Sequence, residues 1–327
     1  MTVVRVEASE VESAVKGALE SCASAVLAIS GGLDSMVLLA AAAKAPANIR
    51  RRIIVATFDH GTGRSAGRAA ALVARNAFRS GFHCVSGRAS TMGTREDEWR
   101  RARWQFLEQV ASKRAANVVT AHTLDDQVET VFMRILRDAG PRGLAGLYAE
   151  SEVIRPFLNI GRTTLSKYAE QHTVPFVEDP SNRDRRHLRN RIRLDILPSI
   201  VKQHPNFPAE LLSLASQSAE WRRSLEGVAA SIDAAAEQNG ALRISRSSLE
   251  GYDAESLRVL WPALAARASV VMDRRGTHRA AEFTIKGVTG GAIQLSGGVE
   301  IVMRRDHMLL RRWRAPAYGH GQSEAQA

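Results

Sequence analysis

The chain has 327 residues, 45% of them hydrophobic and 24% charged, a composition that is typical of a soluble globular protein and excludes a disordered or fibrous one. Its 45 basic and 34 acidic residues leave a net charge of +11, which indicates a polyanionic partner. The longest uninterrupted apolar run, Met36 to Ala43, is far shorter than the roughly 18 residues of a membrane span, and the first ten residues lack the pattern of a secretory signal. We therefore expect a cytoplasmic protein without a membrane partner.

The only two cysteines, Cys22 and Cys84, are far apart in the sequence. They provide neither a disulfide framework nor a Cys-x-x-Cys site for a metal or an iron–sulfur cluster. We expect two buried thiols.

From Ala25 to about Arg193, short apolar runs alternate with helical periods, which predicts an α/β fold with a doubly wound parallel sheet. Ligands of such sheets bind beyond the carboxyl ends of the strands. The predicted strands are Ala25 to Ile29, Ile53 to Phe58, His83 to Val85 and Asn117 to Ala121, and the predicted helices are Asp34 to Lys44, Gly67 to Arg79, Arg95 to Arg114 and Leu124 to Leu136.

Three prolines, Pro198, Pro205 and Pro208, interrupt the pattern within a short span, so we place a domain boundary there. This gives a first domain at 1–200, a second, smaller and mostly helical domain at 201–314, and a disordered tail at 315–327. Within the second domain we expect helix from Leu211 to Arg267 and short strands from Ala292 to Trp313.

The segment AVLAISGGLD is an apolar strand followed by Ser30, Gly31 and Gly32 and by a helix that begins near Leu33. Glycines let the backbone approach a phosphate closely, and the first amides of the helix are unpaired donors at the positive end of its dipole. The hydroxyls of Ser30 and Ser35 add donors, and Asp34 is suited to hold Mg²⁺ against the phosphates. The chain lacks both G-x-x-x-x-G-K-[ST], whose lysine reaches the β- and γ-phosphates, and G-x-G-x-x-G. A kinase or GTPase of that type is therefore disfavoured.

Three further segments carry polar side chains at helical or turn spacing. In Ala121 to Thr130 the residues Asp126, Glu129 and Thr130 share one helix face, with His122 at the mouth of the strand. In EDEWRRARW the residues Glu96, Arg100 and Arg103 share a face, and EDPSN is followed by Asp184, Arg189, Asn190 and Arg193. Taken one at a time, each segment is better explained as a charged surface helix or turn.

SGGLDS after a strand resembles the PP-loop of the N-type ATP pyrophosphatases, an adenine nucleotide alpha hydrolase-like fold. In this order the segments resemble those of the bacterial tRNA(Ile)-lysidine synthetase family: SGG-x-DS, an FDHG-like strand end at Phe58 to Gly61, E-x-x-x-R-x-x-R-[YW], H-x-x-DDQ-x-ET and EDPSN-x-D…RN-x-[IL]-R. The resemblance is dense from about 25 to 198. It departs from the family's pattern at Asp138 and Ala139, and at Thr62 to Arg64.

The resemblance implies an enzyme that adenylates the C2 carbonyl oxygen of the wobble cytidine in an isoleucine tRNA with a CAU anticodon and lets free lysine displace AMP, giving lysidine. It assigns ATP and Mg²⁺ to the loop from Ser30 to Ser35, with Asp34 as the metal ligand. It assigns the activated base and the incoming lysine to His122, Asp126 and Glu129. Arg103 is a candidate partner for the lysine carboxylate or a phosphate. Which residue is the base, and whether the protein is a homodimer, stay open.

Three alternatives remain. A PP-loop tRNA thiolase usually needs cysteines, and Cys22 and Cys84 are poorly spaced for that. A small-molecule amidating enzyme of the NAD or GMP synthetase kind fits poorly with the strongly basic composition. A non-catalytic RNA-binding protein would not need the acidic and histidine side chains of the two central motifs.

Overall fold

Four parallel strands form the sheet of the first unit in the order β3–β2–β1–β4, as seen in a computed structural model that describes residues 3–59, 61, 64–89 and 96–313. The strands are β1 (Ala25–Ala28), β2 (Ile53–Asp59), β3 (His83–Arg88) and β4 (Asn117–Thr120). Each begins at the predicted residue and ends within three residues of the prediction. The predicted α/β class is confirmed. His60, Thr62 and Gly63, the side chain of Glu96 and the tail 315–327 lie outside the described residues.

The strand order reverses at β1, which pairs with β2 on one side and with β4 on the other. After β1 the chain continues through β2 and β3 on one side and then returns to β4 on the other. This makes the carboxyl ends of β1 and β4 the switch point of the sheet, where ligands of open α/β sheets bind. The segments that follow these two strands are SGGLDS and HTLDDQVET.

Helices cover both faces of the sheet. On one face Leu27 and Val55 pack against the helices Val3–Glu20, Leu33–Ala43, Arg64–Arg79 and Arg162–Gln171, and on the other Val26 and Val118 pack against the helix Glu96–Ser112. Cys22 is buried in the first of these cores, whereas Cys84 is partly exposed. The helices of this unit are α1 (Val3–Glu20), α2 (Leu33–Ala43), α3 (Ala47–Arg50), α4 (Arg64–Arg79), α5 (Glu96–Ser112), α6 (Leu124–Ile135), α7 (Pro141–Leu144), α8 (Arg162–Gln171), α9 (Leu188–Arg191), a π-helical segment (Ile192–Ile196) and α10 (Leu197–Gln203), with 3₁₀ turns at Gly146–Tyr148 and Pro180–Arg183.

The chain divides into two compact units, Met1–Ala219 and Glu220–Ala327, and the division falls inside helix α11 (Phe207–Ser231). Pro198 and Pro208 lie in the first turns of α10 and α11, where a missing amide hydrogen costs no helical hydrogen bond. Leu211 and Ala215 of α11 belong to a core with Val131 and Ile192 of the first unit.

The second unit combines helices α12 (Ala254–Ala266) and α13 (Arg274–Lys286) with a five-stranded antiparallel sheet in the order β5–β6–β9–β8–β7. Its strands are β5 (Ala234–Ala236), β6 (Leu242–Ser245), β7 (Ala292–Leu295), β8 (Val299–Met303) and β9 (His307–Arg312), and a 3₁₀ turn spans Ser247–Leu249. The prediction of helix from Leu211 to Arg267 was wrong at β5 and β6. An Asn239-Gly240 turn, in which Gly240 has φ +78°, closes this hairpin.

Among the described residues, no helix combines the length and the apolar character needed to cross a bilayer.

Candidate active site

The loop from Ser30 to Ser35 is stabilised by hydrogen bonds of its own two serines. Gly32 is the N-cap residue of α2, and the Ser35 hydroxyl donates to the Gly32 carbonyl at 2.8 Å and accepts from the Ser30 amide at 3.2 Å. Ser35 is buried. Its hydroxyl therefore shapes the loop, and the amides at the start of α2 are the donors that remain for an anion.

Gly31 has φ +89°, and a Cβ there would lie 2.9 Å from the Cβ of Ala69 on α4. Its carbonyl accepts from the amide of Val177 at 2.9 Å. The loop thus requires glycine at this position for its backbone angle and for its close approach to α4. The same carbonyl attaches the loop to the segment that leads into EDPSN.

Asp34 lies in the first turn of α2 and carries one paired and one unpaired oxygen. Its Oδ2 is 3.2 Å from Nε of Arg162, whereas its Oδ1 is buried and has no hydrogen-bond partner. Burial raises the pKa of Asp34, against the lowering effect of Arg162. A carboxylate oxygen without a hydrogen-bond partner, at the amino terminus of a helix, is suited to bind a hard cation such as Mg²⁺. This ion binds through one or two carboxylates and the substrate phosphates.

No group of three or more His, Cys, Asp or Glu side chains that could hold a metal ion occurs among the described residues.

Two acidic side chains of α6, those of Asp126 and Glu129, form ion pairs with three arginines. Glu129, whose side chain is 3% exposed, accepts from Nε of Arg189 at 2.7 Å and from Nε of Arg193 at 2.5 Å. Asp126 Oδ1 accepts from Arg189 at 2.9 Å and from Arg162 at 3.3 Å. The three carboxylates, counting Asp34, and the three guanidinium groups balance to zero net charge.

Ion pairs decide the ionisation of this network. Burial favours the neutral form of Asp126, but Arg189, Arg162 and the Thr123 backbone outweigh it and lower the pKa of Asp126. At Arg162 burial is likewise outweighed by the acids, Asp34 first among them, so the pKa of Arg162 is raised. Asp126 and Arg162 therefore stay ionised at neutral pH.

Local capping holds α6 at this edge of the sheet. Thr123 and Asp126 form a capping box, with the Thr123 amide 2.9 Å from Asp126 Oδ2. Asp125 accepts from the Arg162 amide at 2.7 Å, which fixes the start of α8 next to the start of α6. Gln127, fully buried, donates to the Ala145 carbonyl and accepts from the Leu147 amide.

His122 lies between β4 and α6, with Nδ1 2.8 Å from the hydroxyl of Thr120. Burial above all lowers the pKa of His122 to about 4, and Arg155, Arg189 and Arg103 reinforce the shift. The imidazole is neutral at pH 7 and, with one nitrogen engaged by Thr120, has the other for a substrate.

The structure thus brings Asp34, Asp126 and Glu129 into one network. Arg103 belongs to α5 and pairs with none of these carboxylates, although its charge helps to lower the pKa of His122. Sequence reasoning missed Arg162 and Thr120, which have no motif around them. It noted Arg189 and Arg193 without identifying their partners, although their spacing of four residues places both on one side of a helix.

The chain is similar to several known proteins. Residues 7–200 match the family model described as "PP-loop domain". The chain is 35% identical to tRNA(Ile)-lysidine synthase of Methylobacterium nodulans over 260 residues, covering 73% of this chain and 74% of that protein. It is also 35% identical to the Burkholderia pseudomallei protein of the same name over 243 residues, which is 70% of this chain but 49% of that protein. The chain therefore spans about half the length of the Burkholderia relative.

Among solved structures, the U34-tRNA thiolase NcsA from Methanococcus maripaludis superposes with a TM-score of 0.52 at 16% identity, covering 66% of this chain and 80% of that one. At this identity the likeness concerns the fold alone. The resemblance expected from the ordered motifs is confirmed by the curated relatives.

Proposed function

We propose, since the chain belongs to the PP-loop family of tRNA(Ile)-lysidine synthases, that it joins lysine to the wobble cytidine of an isoleucine tRNA with a CAU anticodon. In the first step the C2 carbonyl oxygen of the cytidine attacks the α-phosphorus of ATP and pyrophosphate leaves. In the second step the ε-amine of lysine attacks C2, and AMP leaves with that oxygen. The products are lysidine, AMP and pyrophosphate.

The observation that carries this proposal is the placement of Asp34. Its unpaired Oδ1 lies at the start of the helix that would receive the triphosphate, while its Oδ2 is linked through Arg162 to Asp126 and Glu129. One continuous network therefore joins the nucleotide loop to the α6 carboxylates, which a single site with two half-reactions requires.

In the proposed site the backbone amides from Gly31 to Ser35, including that of Leu33, bind the phosphates, and the Ser30 hydroxyl lines the same loop. Asp34 is the residue that would hold Mg²⁺, which would neutralise charge on the phosphates when bound. This role is supported by the buried, partnerless Oδ1.

We assign the proton acceptor for the attacking lysine amine to His122. In the tautomer whose Nδ1–H donates to the Thr120 hydroxyl, the neutral imidazole keeps a lone pair on Nε2, whereas the carboxylates of Asp126 and Glu129 are engaged by guanidinium groups. We propose that the carboxylates of Asp126 and Glu129 also bind the ammonium groups of lysine. The oxygens involved are those that already accept hydrogen bonds from Arg162, Arg189 and Arg193.

The second domain is proposed to bind the tRNA beyond its anticodon, because selection of one tRNA requires contacts along the backbone. It holds a polar cleft of about 430 Å³ lined by Arg243, Arg246 and Arg305 together with Asp233, Glu250 and His307. In the full chain, Arg243→Gln with Arg305→Gln should weaken tRNA binding, and the slope of log K against log salt should fall by about 0.7 to 0.9 per arginine.

A matched control for that variant removes two exposed arginines at the amino-terminal edge of the first sheet, Arg51→Gln with Arg114→Gln. Equal tRNA affinity and equal salt slopes for both double variants would contradict the role of the cleft. We further propose a cytoplasmic location.

The first half-reaction gives a direct test of the proposed function. Purified full-length protein should convert ATP to AMP and pyrophosphate when unmodified isoleucine tRNA with a CAU anticodon is present, and it should be inactive with the same tRNA carrying uridine at the wobble position. Equal AMP formation without tRNA would contradict the proposal and favour a small-molecule substrate.

A further inference from the structure

Two arginines at the carboxyl edge of the first sheet are partly buried and have no acidic partner among the side chains that the structure describes. Arg103 is partly buried in the second turn of α5, and its Nε is buried with no hydrogen-bond partner. The Nε of Arg155 is likewise buried and unpartnered. No carboxylate pairs with either guanidinium among the side chains that the structure describes. We call Arg103, Arg155 and the exposed Arg100 the α5-face arginines.

Arg155 is held beside the histidine of the site by backbone register. Ile154 forms a parallel bridge with Val119 of β4, and its carbonyl accepts from the Thr120 amide at 2.9 Å. Arg155 is therefore next to Thr120, whose hydroxyl binds His122. One terminal nitrogen of Arg155 donates to the Ser151 hydroxyl at 2.8 Å and to the Val153 carbonyl at 3.2 Å, which positions the guanidinium.

These arginines differ from those of the α6 network. Arg162, Arg189 and Arg193 each pair with Asp126 or Glu129, whereas burial and the nearby charge of Arg100 lower the pKa of both Arg103 and Arg155. A buried cation without a partner is costly for the fold. Such a cost is typical of a site that completes its charge pairing with a ligand.

The position of the α5-face arginines indicates the chemical class of the ligand that they would bind. The α5-face arginines belong to the face covered by α5, whereas α2, whose amino terminus would receive the triphosphate, packs on the opposite face. Three like-charged guanidinium groups disfavour the two ammonium groups of lysine. Planar guanidinium forks match phosphate oxygens in two-point contacts.

We propose that Arg103 and Arg155, with Arg100 at the rim, bind a phosphodiester of the RNA strand next to the nucleotide that reaches His122. This inference rests on the proposed function, since it presumes an RNA substrate. It separates the two anions of the reaction, with the nucleotide triphosphate on the α2 face and the RNA backbone on the α5 face.

The test measures binding of a fluorescent anticodon stem–loop of isoleucine tRNA, bearing CAU, to the full-length protein by anisotropy at several salt concentrations. Arg103→Gln and Arg155→Gln should each raise the Kd about tenfold or more, because a charge-assisted contact is lost. The log–log salt slope should fall by about 0.7 to 0.9 for each variant. The exposed Arg51→Gln at the amino-terminal edge removes the same charge and should change neither quantity.

Arg103→Lys provides a second variant that keeps the charge, and it should retain the salt slope while losing part of the affinity. Thermal unfolding of each variant within a few degrees of wild type shows that the fold is kept. The KM for ATP should stay unchanged in all three variants. Unchanged stem–loop affinity in both glutamine variants would overturn the inference, as would a raised KM for ATP or lysine with an unchanged Kd.

The inference and the proposed function fail separately. If wild-type protein binds the stem–loop through these arginines but does not ligate lysine, the function is wrong and the RNA-binding role stands. If wild-type protein ligates lysine and the arginine variants bind RNA as tightly as it does, the RNA-binding role alone is wrong.

Discussion

Arg162 reaches across the site to Asp34, with its Nε 3.2 Å from Oδ2 of a residue that lies 128 positions earlier in the chain. The same guanidinium is 3.3 Å from Asp126 and 3.8 Å from Glu129. It therefore sets the direction of the Asp34 carboxylate and leaves Oδ1 for another ligand.

Replacing the carboxylate of Asp34 should lower the rate of AMP formation without destabilising the fold. Asp34→Asn should lower AMP formation at least about 100-fold, since it removes the charge that faces the phosphates. Because burial raises the pKa of Asp34, the fold gains little from its ionised form, and the free energy of unfolding should stay within about 1 kcal/mol of wild type. The exposed Glu20→Gln on α1 is the matched control. AMP formation at the wild-type rate would show that Asp34 is not a phosphate or metal ligand.

Glu129→Gln should impair lysine use more than adenylation. Loss of the charged partner should raise the KM for lysine by about 10- to 100-fold, with a smaller effect on pyrophosphate release. It also leaves Arg189 and Arg193 without their main partner, at a cost of about 2 to 3 kcal/mol in unfolding free energy after allowance for their partial exposure.

Glu300→Gln provides the control for that variant. Glu300 is nearly buried and pairs with Arg311 at 2.7 Å in the second unit, so its loss should lower stability without a specific effect on lysine. Equal damage to both half-reactions in Glu129→Gln would count against a lysine-binding role.

His122 should make stability depend on pH between about 6.5 and 4. Because its pKa in the folded state is about 4, the unfolded chain binds a proton in this range and the folded chain does not. Its contribution to stability is complete above pH 6.5 and is lost as the pH falls toward 4, by no more than about 3 kcal/mol. We expect the free energies of unfolding of wild type and His122→Gln, measured in urea across this range, to converge as the pH is lowered. Parallel curves would refute the shifted pKa.

Much of the first unit was predictable because its strands are short, buried apolar runs. All four strand starts and the helices α2, α5 and α6 followed from periodicity to within a few residues. Helices α1 and α8 were not predicted, although both pack on the same face as α2. The hairpin of β5 and β6 was missed because Ala234 to Ala236 carries no strand preference, and pairing with β6 alone makes it a strand.

The site was predictable only where its residues are close together in the sequence. Asp126 and Glu129 share a helix turn, so their common face could be read from spacing. Their pairing with Arg162, Arg189 and Arg193 joins residues 33 to 67 positions apart, and no local pattern specifies such contacts. Arg103 was predicted from its motif as a partner of the lysine carboxylate or of a phosphate. It pairs with none of the acids, but its charge acts on His122, and its role stays a prediction.

Two neighbouring glycines in the loop should respond differently to alanine. Gly31→Ala should cost about 2 to 3 kcal/mol, because the residue has φ +89° and its Cβ would press on Ala69. Gly32 has φ −77°, and a Cβ there meets only the Ser30 hydroxyl at 3.7 Å, so Gly32→Ala should leave the unfolding free energy nearly unchanged. Chemical denaturation of both variants measures the difference, and equal stability would contradict the observed loop geometry.

The most direct test of the central claim is the transfer of radiolabelled lysine to RNA. Full-length protein, ATP, Mg²⁺ and unmodified isoleucine tRNA with a CAU anticodon should yield acid-precipitable label on the RNA with one AMP formed per lysine, and Asp34→Asn should yield none. Label that appears without ATP, or AMP formation that never leads to labelled RNA, would contradict the claim that this site activates a cytidine for attack by lysine.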